Sequence, residues 1–446
     1  MCKIYINNDM QNNKENKIKN KLSVLKESAL LKGIVVGLLI AVVFFSGYFT
    51  HYLSINKELR SIEFLLDVYK KHYYKESERD VVHALADQIL DIYSGYYTAE
   101  EYQAYLKEGQ GSKSGYGIAL LNLEVYKVAG NSPAELAGIK PNGTVIGYKK
   151  SSESEFVKPN TQKALTDFLS QTNEEINLKI DYSGVEEIFI LQRAEYLENY
   201  VYYSDSTGSY RFNGDQNGMI FTKYGDSQFN LDSGLGYIKF TSFNGLKKGT
   251  LGGAGQFKGA LDAFKNNGNT KLIIDLRGNG GGYMSILCDI ASYLCDDKSG
   301  QTFVSQKARY RNGQIDNFNS ALSAYSQYGF ESIIFLADRG SASASEALMG
   351  AVLDYDAKSE NNIVKVIVEP TVENDKTIYA TYGKGIMQSM YTNSLTGEAV
   401  KLTTAEVVWP ISGTCIHGVG LNPELDDRIY ANTFGDAVEY AKILAN

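Results

Sequence analysis

Between Gly33 and Asn56 the chain carries no Asp, Glu, Lys or Arg. The segment GIVVGLLIAVVFFSGYFTHYL within it is long enough to cross roughly 30 Å of hydrocarbon as one helix. Nothing else in the sequence restricts the layout so strongly. Lys14, Lys17, Lys19, Lys21, Lys26 and Lys32 precede it, so the positive-inside rule keeps the N-terminus cytoplasmic and sends everything after His51 outside. The long apolar core and the lack of an A-x-A-like cleavage site favour a retained anchor over a cleaved signal peptide. The expectation is a cytoplasmic basic tail over 1–29 and a transmembrane helix over 30–53.

Beyond the span the pattern changes three times. Ile62, Leu65, Leu66 and Tyr69, then Val82, Leu85 and Ile89, recur at helical spacing and predict a helical region over 54–110 whose helices bury one face each. GQGSKSG, Gly109 to Gly115, marks a boundary. Short apolar strands follow at 117–123, 125–128, 144–148, 177–182 and 187–191, with helices at SPAELAG and around 161–169, which predicts a compact β-rich unit over 111–195. Tyr196 to Ser233 has no clear periodicity and reads as an irregular connection with room for a hairpin. From Gly236 strands (GYIKF, LIIDL, IIFLA) alternate with helices, so 196–446 is expected to be a layered α/β domain.

With 446 residues, 43% hydrophobic and 22% charged, the chain can form two or three folded units. A net charge of -8 argues against a nucleic-acid partner. Cys2, Cys288, Cys295 and Cys415 have no zinc-knuckle spacing. On one helix, Cys288 and Cys295 would lie about 10 Å apart, beyond disulfide reach.

Three segments carry chemistry. ADRGSASASE, Ala337 to Glu346, joins a buried strand to a helix. Such a turn exposes a hydroxyl, Ser343, beside free helical N–H groups; a Ser-rich N-cap with Glu346 in the first turn reads equally well. A hydroxyl needs a base, and beyond residue 200 the histidine candidate is His417. Lys384, in YGKGIMQ, is the alternative, since burial lowers a lysine pKa and frees the neutral amine. DLRGNGGG, Asp275 to Gly282, follows a strand and can offer backbone N–H groups to an anion. It lacks the spacing and Lys-Ser/Thr ending of a phosphate loop, so oxyanion donors at Gly282 and Ala344 fit better.

In this order, DLRGNGGG, GSASASEAL, YGKGIMQ and KLTTAEVVWPISGTCIHGVGLNPEL resemble the successive motifs of the carboxyl-terminal processing peptidases. DIYSGYYTAEEY, Asp91 to Tyr102, resembles the family's Asp-Pro-Tyr-Ser segment, and GYGIAL with SPAELAGIKPNGTVIGY its PDZ domain. The resemblance implies a PDZ-like β-rich domain and a crotonase/ClpP-like peptidase domain with insertions near 200–233 and 357–381. It implies Ser343 as nucleophile, Lys384 as general base, Gln388 orienting the lysine, and Gly282 and Ala344 as the oxyanion hole. Neither metal nor cofactor is required. Gly115, Tyr116, Gly117 and Ile118 would hold the carboxylate of a substrate's C-terminal tail, added as a strand. The implied function is a membrane-anchored serine endopeptidase acting on extracytoplasmic proteins, with dimerisation through the N-terminal helices as an option. The alternatives are a catalytically silent PDZ tail-binding scaffold and an acyl hydrolase of crotonase-like architecture.

Overall fold

A computed structural model describes residues 5–54, 57–72, 81–109, 112–213, 221–245, 252–319 and 322–446. The chain divides into two compact units, Met1–Asp80 and Val81–Asn446.

The first unit holds two helices, Tyr5–Ser54 and Lys57–His72. Ile34, Val35, Val36, Leu38, Leu39, Ile40 and Val42 to Phe45 are each 49–69% exposed. Among the described residues no helix is long and apolar enough to cross a membrane. Side chains 31, 48, 49 and 51–53 of the expected span lie outside the described ones, and the unbroken stretch 32–47 is shorter than the roughly 20 residues a span needs. In Lys57–His72 the expected apolar face is incomplete: Ile62, Leu66 and Tyr69 are half-buried, but Leu65 is 64% exposed.

In the second unit, residues 112–197 have their own core. A five-stranded antiparallel sheet runs Ile118–Leu121, Glu124–Val128, Thr144–Lys150, Ile176–Tyr182, Val185–Leu191 in that spatial order. Helices Pro133–Leu136 and Gln162–Gln171 close it. Thr161 starts the second by accepting from Ala164 N–H, as an N-cap does. Alternate residues Ile176, Leu178 and Ile180 point inward onto Val125, Val145 and Leu165. Ile118–Leu121 is an edge strand, and its backbone beyond the pairing with Glu124–Val128 faces outward.

The larger domain is built on an eight-stranded sheet. Leu235–Phe240, Lys271–Asp275, Ser332–Ala337, Val364–Val368 and Ile429–Ala431 are parallel. Helices Gly253–Asn267, Met284–Leu294 and Ala344–Ser359 pack on one face, where Leu272, Ile274, Ile333 and Phe335 join the main core. Ala437–Ala445 covers the other over Ile273, Ile334 and Ile367. Coverage on both faces explains why these strands read as continuous apolar runs.

Two expectations change here. The stretch Tyr196 to Ser233 is not irregular: Val201–Asp205, Gly208–Phe212 and Phe221–Gly225 extend the same sheet as an antiparallel meander. Alternation failed as a signal because Val201–Asp205 lies inside the sheet with all but one residue buried, and tyrosines fill both strands of the hairpin; Tyr203 stacks on Tyr210 at 4.8 Å. Likewise, the stretch 357–381 contains the core strand Val364–Val368, and what departs from the sheet is the hairpin Thr371–Glu373 with Lys376–Ile378. A second sheet, with Ala399–Val408 at its centre, pairs with Gly95–Tyr97, Val304–Tyr310 and Ile386–Thr392. It carries the Asp91 to Tyr102 segment to the mouth of the cleft.

Candidate active site

The wholly buried strand Ser332–Ala337 ends in a turn held from beneath. Asp338 Oδ1 accepts from Gly278 N–H at 2.8 Å and Gly340 N–H at 2.9 Å. The Ser341 hydroxyl donates to Leu276 O, and Ser345 Oγ and Ala342 N–H both donate to Asn279 O. Asn279, itself fully buried, donates to Phe240 O and accepts from Gly281 N–H. The loops after two neighbouring parallel strands are thereby stitched into one surface. Beneath them, Asp275 accepts from Tyr237 OH, Lys239 Nζ and Arg277. Burial opposes its charge, but these partners outweigh it and hold the carboxyl below its ordinary pKa.

At the tip of this turn Ser343 adopts φ 57°, ψ −114°, a conformation that costs a non-glycine residue about 1–3 kcal/mol. Its backbone is locked there, because Ser343 N–H donates to Glu346 Oε2 at 2.8 Å. Gly281, at φ 93°, lies directly against it; a Cβ there would come within 2.7 Å of Ala342 O and 2.8 Å of Ala344 N. Only a glycine permits that approach. Gly282 bridges to Phe243. The N–H groups of Gly282 and Ala344 make no hydrogen bond among the described residues, leaving both free for an oxyanion.

Glu346, fully buried, joins this turn to the Lys384 loop. Its carboxylate accepts from Ser343 N–H, Lys384 N–H at 2.9 Å, Gly383 N–H at 2.7 Å and the Thr381 hydroxyl. Burial pushes its pKa up despite the four donors. Lys384 lies 41 positions beyond Ser343 (384 − 343), yet both line one cavity of about 680 Å³ with Gly280 to Ser285. The hairpin in the lengthened segment leaves this junction intact. Lys384 is half-buried, and its pKa is lowered by desolvation first and by Lys401 second, against Asp91 and Glu346. Its Nζ sits 4.6 Å from the centre of the Tyr93 ring, and among the described residues no hydrogen bond joins it to Ser343 Oγ. Tyr93 donates to the Tyr382 hydroxyl, and that contact with burial pushes its own pKa up to about 12.

Gln388 lines the same cavity, but its amide donates to Thr403 Oγ1 at 3.1 Å instead of reaching Lys384. His417, the histidine candidate for a base, is exposed and lines neither cavity beside Ser343; its backbone packs against Gly385. Among the described residues no cluster of three or more His, Cys, Asp or Glu is arranged to hold a metal. Sequence reasoning missed two partners. Glu346 was visible only as a helix-capping acid, and Tyr93 comes from the Asp91 to Tyr102 segment, whose place in the cleft depends on strand pairing.

Gly115, Tyr116, Gly117 and Ile118 meet at a second cavity, of about 570 Å³, with Lys113, Gln162 and Arg193 on its walls. Gly117, at φ 82°, leaves no room for a Cβ beside Ser132. Tyr116 and Gly117 give their carbonyls to Ala134 and Ala129 N–H.

Residues 234–365 match the model of peptidase family S41. Two relatives, each a probable CtpA-like serine protease, align along most of the chain. One from Staphylococcus epidermidis is 24% identical, covering 83% of this chain and 67% of its own length; one from Staphylococcus aureus is 23% identical, covering 94% and 75%. The solved photosystem II D1 C-terminal processing protease aligns at 19% identity over 85% of this chain and 90% of its own, with a TM-score of 0.45. The family model covers the strands and loops that carry Ser343, Gly281 and Gly282, so residues 234–365 form a peptidase family S41 domain, and the chain is a serine-type peptidase similar over most of its length to CtpA-like serine proteases.

Proposed function

We propose that this chain is a membrane-anchored endopeptidase that captures extracytoplasmic proteins by their C-terminal tails and cleaves them with a Ser343/Lys384 dyad. One observation carries the reading: the buried Glu346 carboxylate accepts from Ser343 N–H and Lys384 N–H at once, so the two side chains share one cleft. Neutral Lys384 takes the Ser343 proton, and Ser343 Oγ attacks the peptide carbonyl. The oxyanion is received by Gly282 and Ala344 N–H, the scissile C–N bond breaks as protonated Lys384 gives its proton to the leaving amine, and a water activated by the neutral lysine then hydrolyses the acyl-enzyme and restores the Ser343 hydroxyl. Desolvation of Lys384 favours the neutral amine this step needs. Gln388 contributes by ordering Thr403 on the cleft wall.

Tail capture is supported by the groove at Gly115 to Ile118 and by the edge strand Ile118–Leu121, where an incoming strand would displace the Gln162 side chain from Leu120. Anchoring is supported by the lysine-rich stretch before Gly33 and the apolar side chains exposed on every side of residues 34–45; a helix apolar all round needs a non-aqueous surround. The test is cleavage of an unstructured polypeptide with an apolar C-terminus, with Ser343→Ala alongside. Turnover by the wild type alone is expected. A silent tail-binding scaffold is the second reading, favoured by Lys384 Nζ resting on Tyr93 unbonded to Ser343. Binding of the tail without turnover would establish it in place of the first.

A further inference from the structure

Behind Ser343, on the side of the helix Ala344–Ser359, lies a second and much smaller cavity, about 10 Å³, with Ser343 and Lys384 at its mouth. That is the space of about one water molecule. Met284, Ala347, Val407 and Ile416 make its walls apolar. Gln306, from the strand Val304–Tyr310, interrupts them. It is fully buried. Its amide nitrogen donates to Ala347 O, which sets the orientation of the group, because only the nitrogen can face a carbonyl. The other end, Oε1, is buried and accepts no hydrogen bond among the described residues. An acceptor left unpaired in an apolar pocket is costly and is met by a ligand that carries a donor.

Size and polarity together select that ligand. In the acyl-enzyme the residue nearest Ser343 is the one whose carbonyl has been attacked, so its side chain is the one that reaches this cavity. The volume excludes long and aromatic side chains and leaves those with at most two heavy atoms beyond Cβ. Among these, alanine and valine offer no donor and a thiol only a weak one. We infer that Gln306 is a specificity-determining residue and that its pocket takes a small hydroxyl side chain, serine or threonine, on the acyl side of the scissile bond. The inference rests on Ser343 being the nucleophile. The hydroxyl donates to Gln306 Oε1, and its methylene or methyl lies against Val407 and Ile416.

The experiment uses the full-length chain and peptides identical except for Ser, Thr, Ala or Leu at the acyl-side position. The wild type should show a kcat/KM for Ser or Thr about tenfold or more above that for Ala, with Leu lowest, since a site that pairs a substrate hydroxyl rejects the analogue lacking it. In Gln306→Met, which keeps the volume but removes the acceptor, the ratio should fall to about one. Ala cleaved as well as Ser by the wild type overturns the inference without reference to any variant. No turnover of any peptide overturns it too. Labelling of Ser343 by an alkyl fluorophosphonate then separates the cases: labelling means that only the pocket assignment failed, and its absence means that the nucleophile reading failed with it.

Discussion

The cleavage cleft and the candidate tail groove would both take a polypeptide backbone, yet they are built in opposite ways. The cleft is assembled from four distant segments and secured by buried polar groups, with Glu346, Asn279, Ser341 and Asp275 each at most 1% exposed. The groove is one sheet edge beside one helix, formed within 113–198, and the group closing its far end is the exposed Gln162. That side chain donates to Leu120 O and accepts from Asn122 N–H, occupying the edge as a strand partner would. The difference follows from the task. A reacting serine and its base tolerate little displacement, whereas a strand-addition site gains adaptability from an edge whose partner can be exchanged.

If this contrast holds, substitutions in the two places separate cleanly. Ser343→Ala and Lys384→Ala should each lower turnover of an unstructured polypeptide by about 10⁴-fold or more, while affinity for a tail peptide stays unchanged. Parallel loss of both properties would break the distinction. Glu346→Ala comes next. It leaves buried N–H groups unpaired, so it should cost about 3 kcal/mol of stability in denaturant unfolding and lower kcat about 100-fold with little change in KM. A change in KM alone would show that the cleft is not held by this carboxylate.

Smaller effects sharpen the picture. In the proposed mechanism Lys384 acts as a base only when neutral, so kcat should rise with pH through its lowered pKa. Lys401 helps depress that pKa; Lys401→Met removes the neighbouring charge, returns the pKa upward and moves the rise to higher pH. On the acid side of that rise the rate is proportional to the neutral fraction, so activity at a fixed pH falls about tenfold for every pH unit by which the profile moves. A pH profile that does not move would place the titration elsewhere. The smallest change is expected in the groove. Gln162→Ala frees the edge at Leu120 and Asn122, and tail-peptide binding, followed by calorimetry, should tighten by about threefold, worth about 0.6 kcal/mol, with kcat on an untailed substrate unaltered. Weakened binding would mean that Gln162 contacts the tail instead of competing with it.

Local order made much of this legible in advance. GSASASEAL between a buried strand and a helix already indicates a turn with a hydroxyl at a free helix N-terminus, and the alternation from Gly236 indicates a layered sheet, because each signal lies within a dozen neighbouring residues. The meander at 201–225 escaped for the converse reason. Its inner strand Val201–Asp205 is covered on both faces and its outer strand Phe221–Gly225 is mostly exposed, so neither shows period-2 alternation, and what makes them strands is pairing, of Val201–Asp205 with Leu235–Phe240 above all.

The sequence by itself therefore determined the candidate chemical groups, Ser343 and Lys384, the glycines that let backbone approach them, and the charge-free segment at Gly33 to Asn56. Only the tertiary structure decided what surrounds those groups. It directed Gln388 to Thr403, set Tyr93 against Lys384, left Gln306 Oε1 unpaired behind Ser343, and made a capping acid, Glu346, the junction between two segments 41 positions apart. The physical reason is range: propensity and periodicity act over one turn or one strand, while a lysine's pKa and a pocket's polarity depend on which distant chains pack around them.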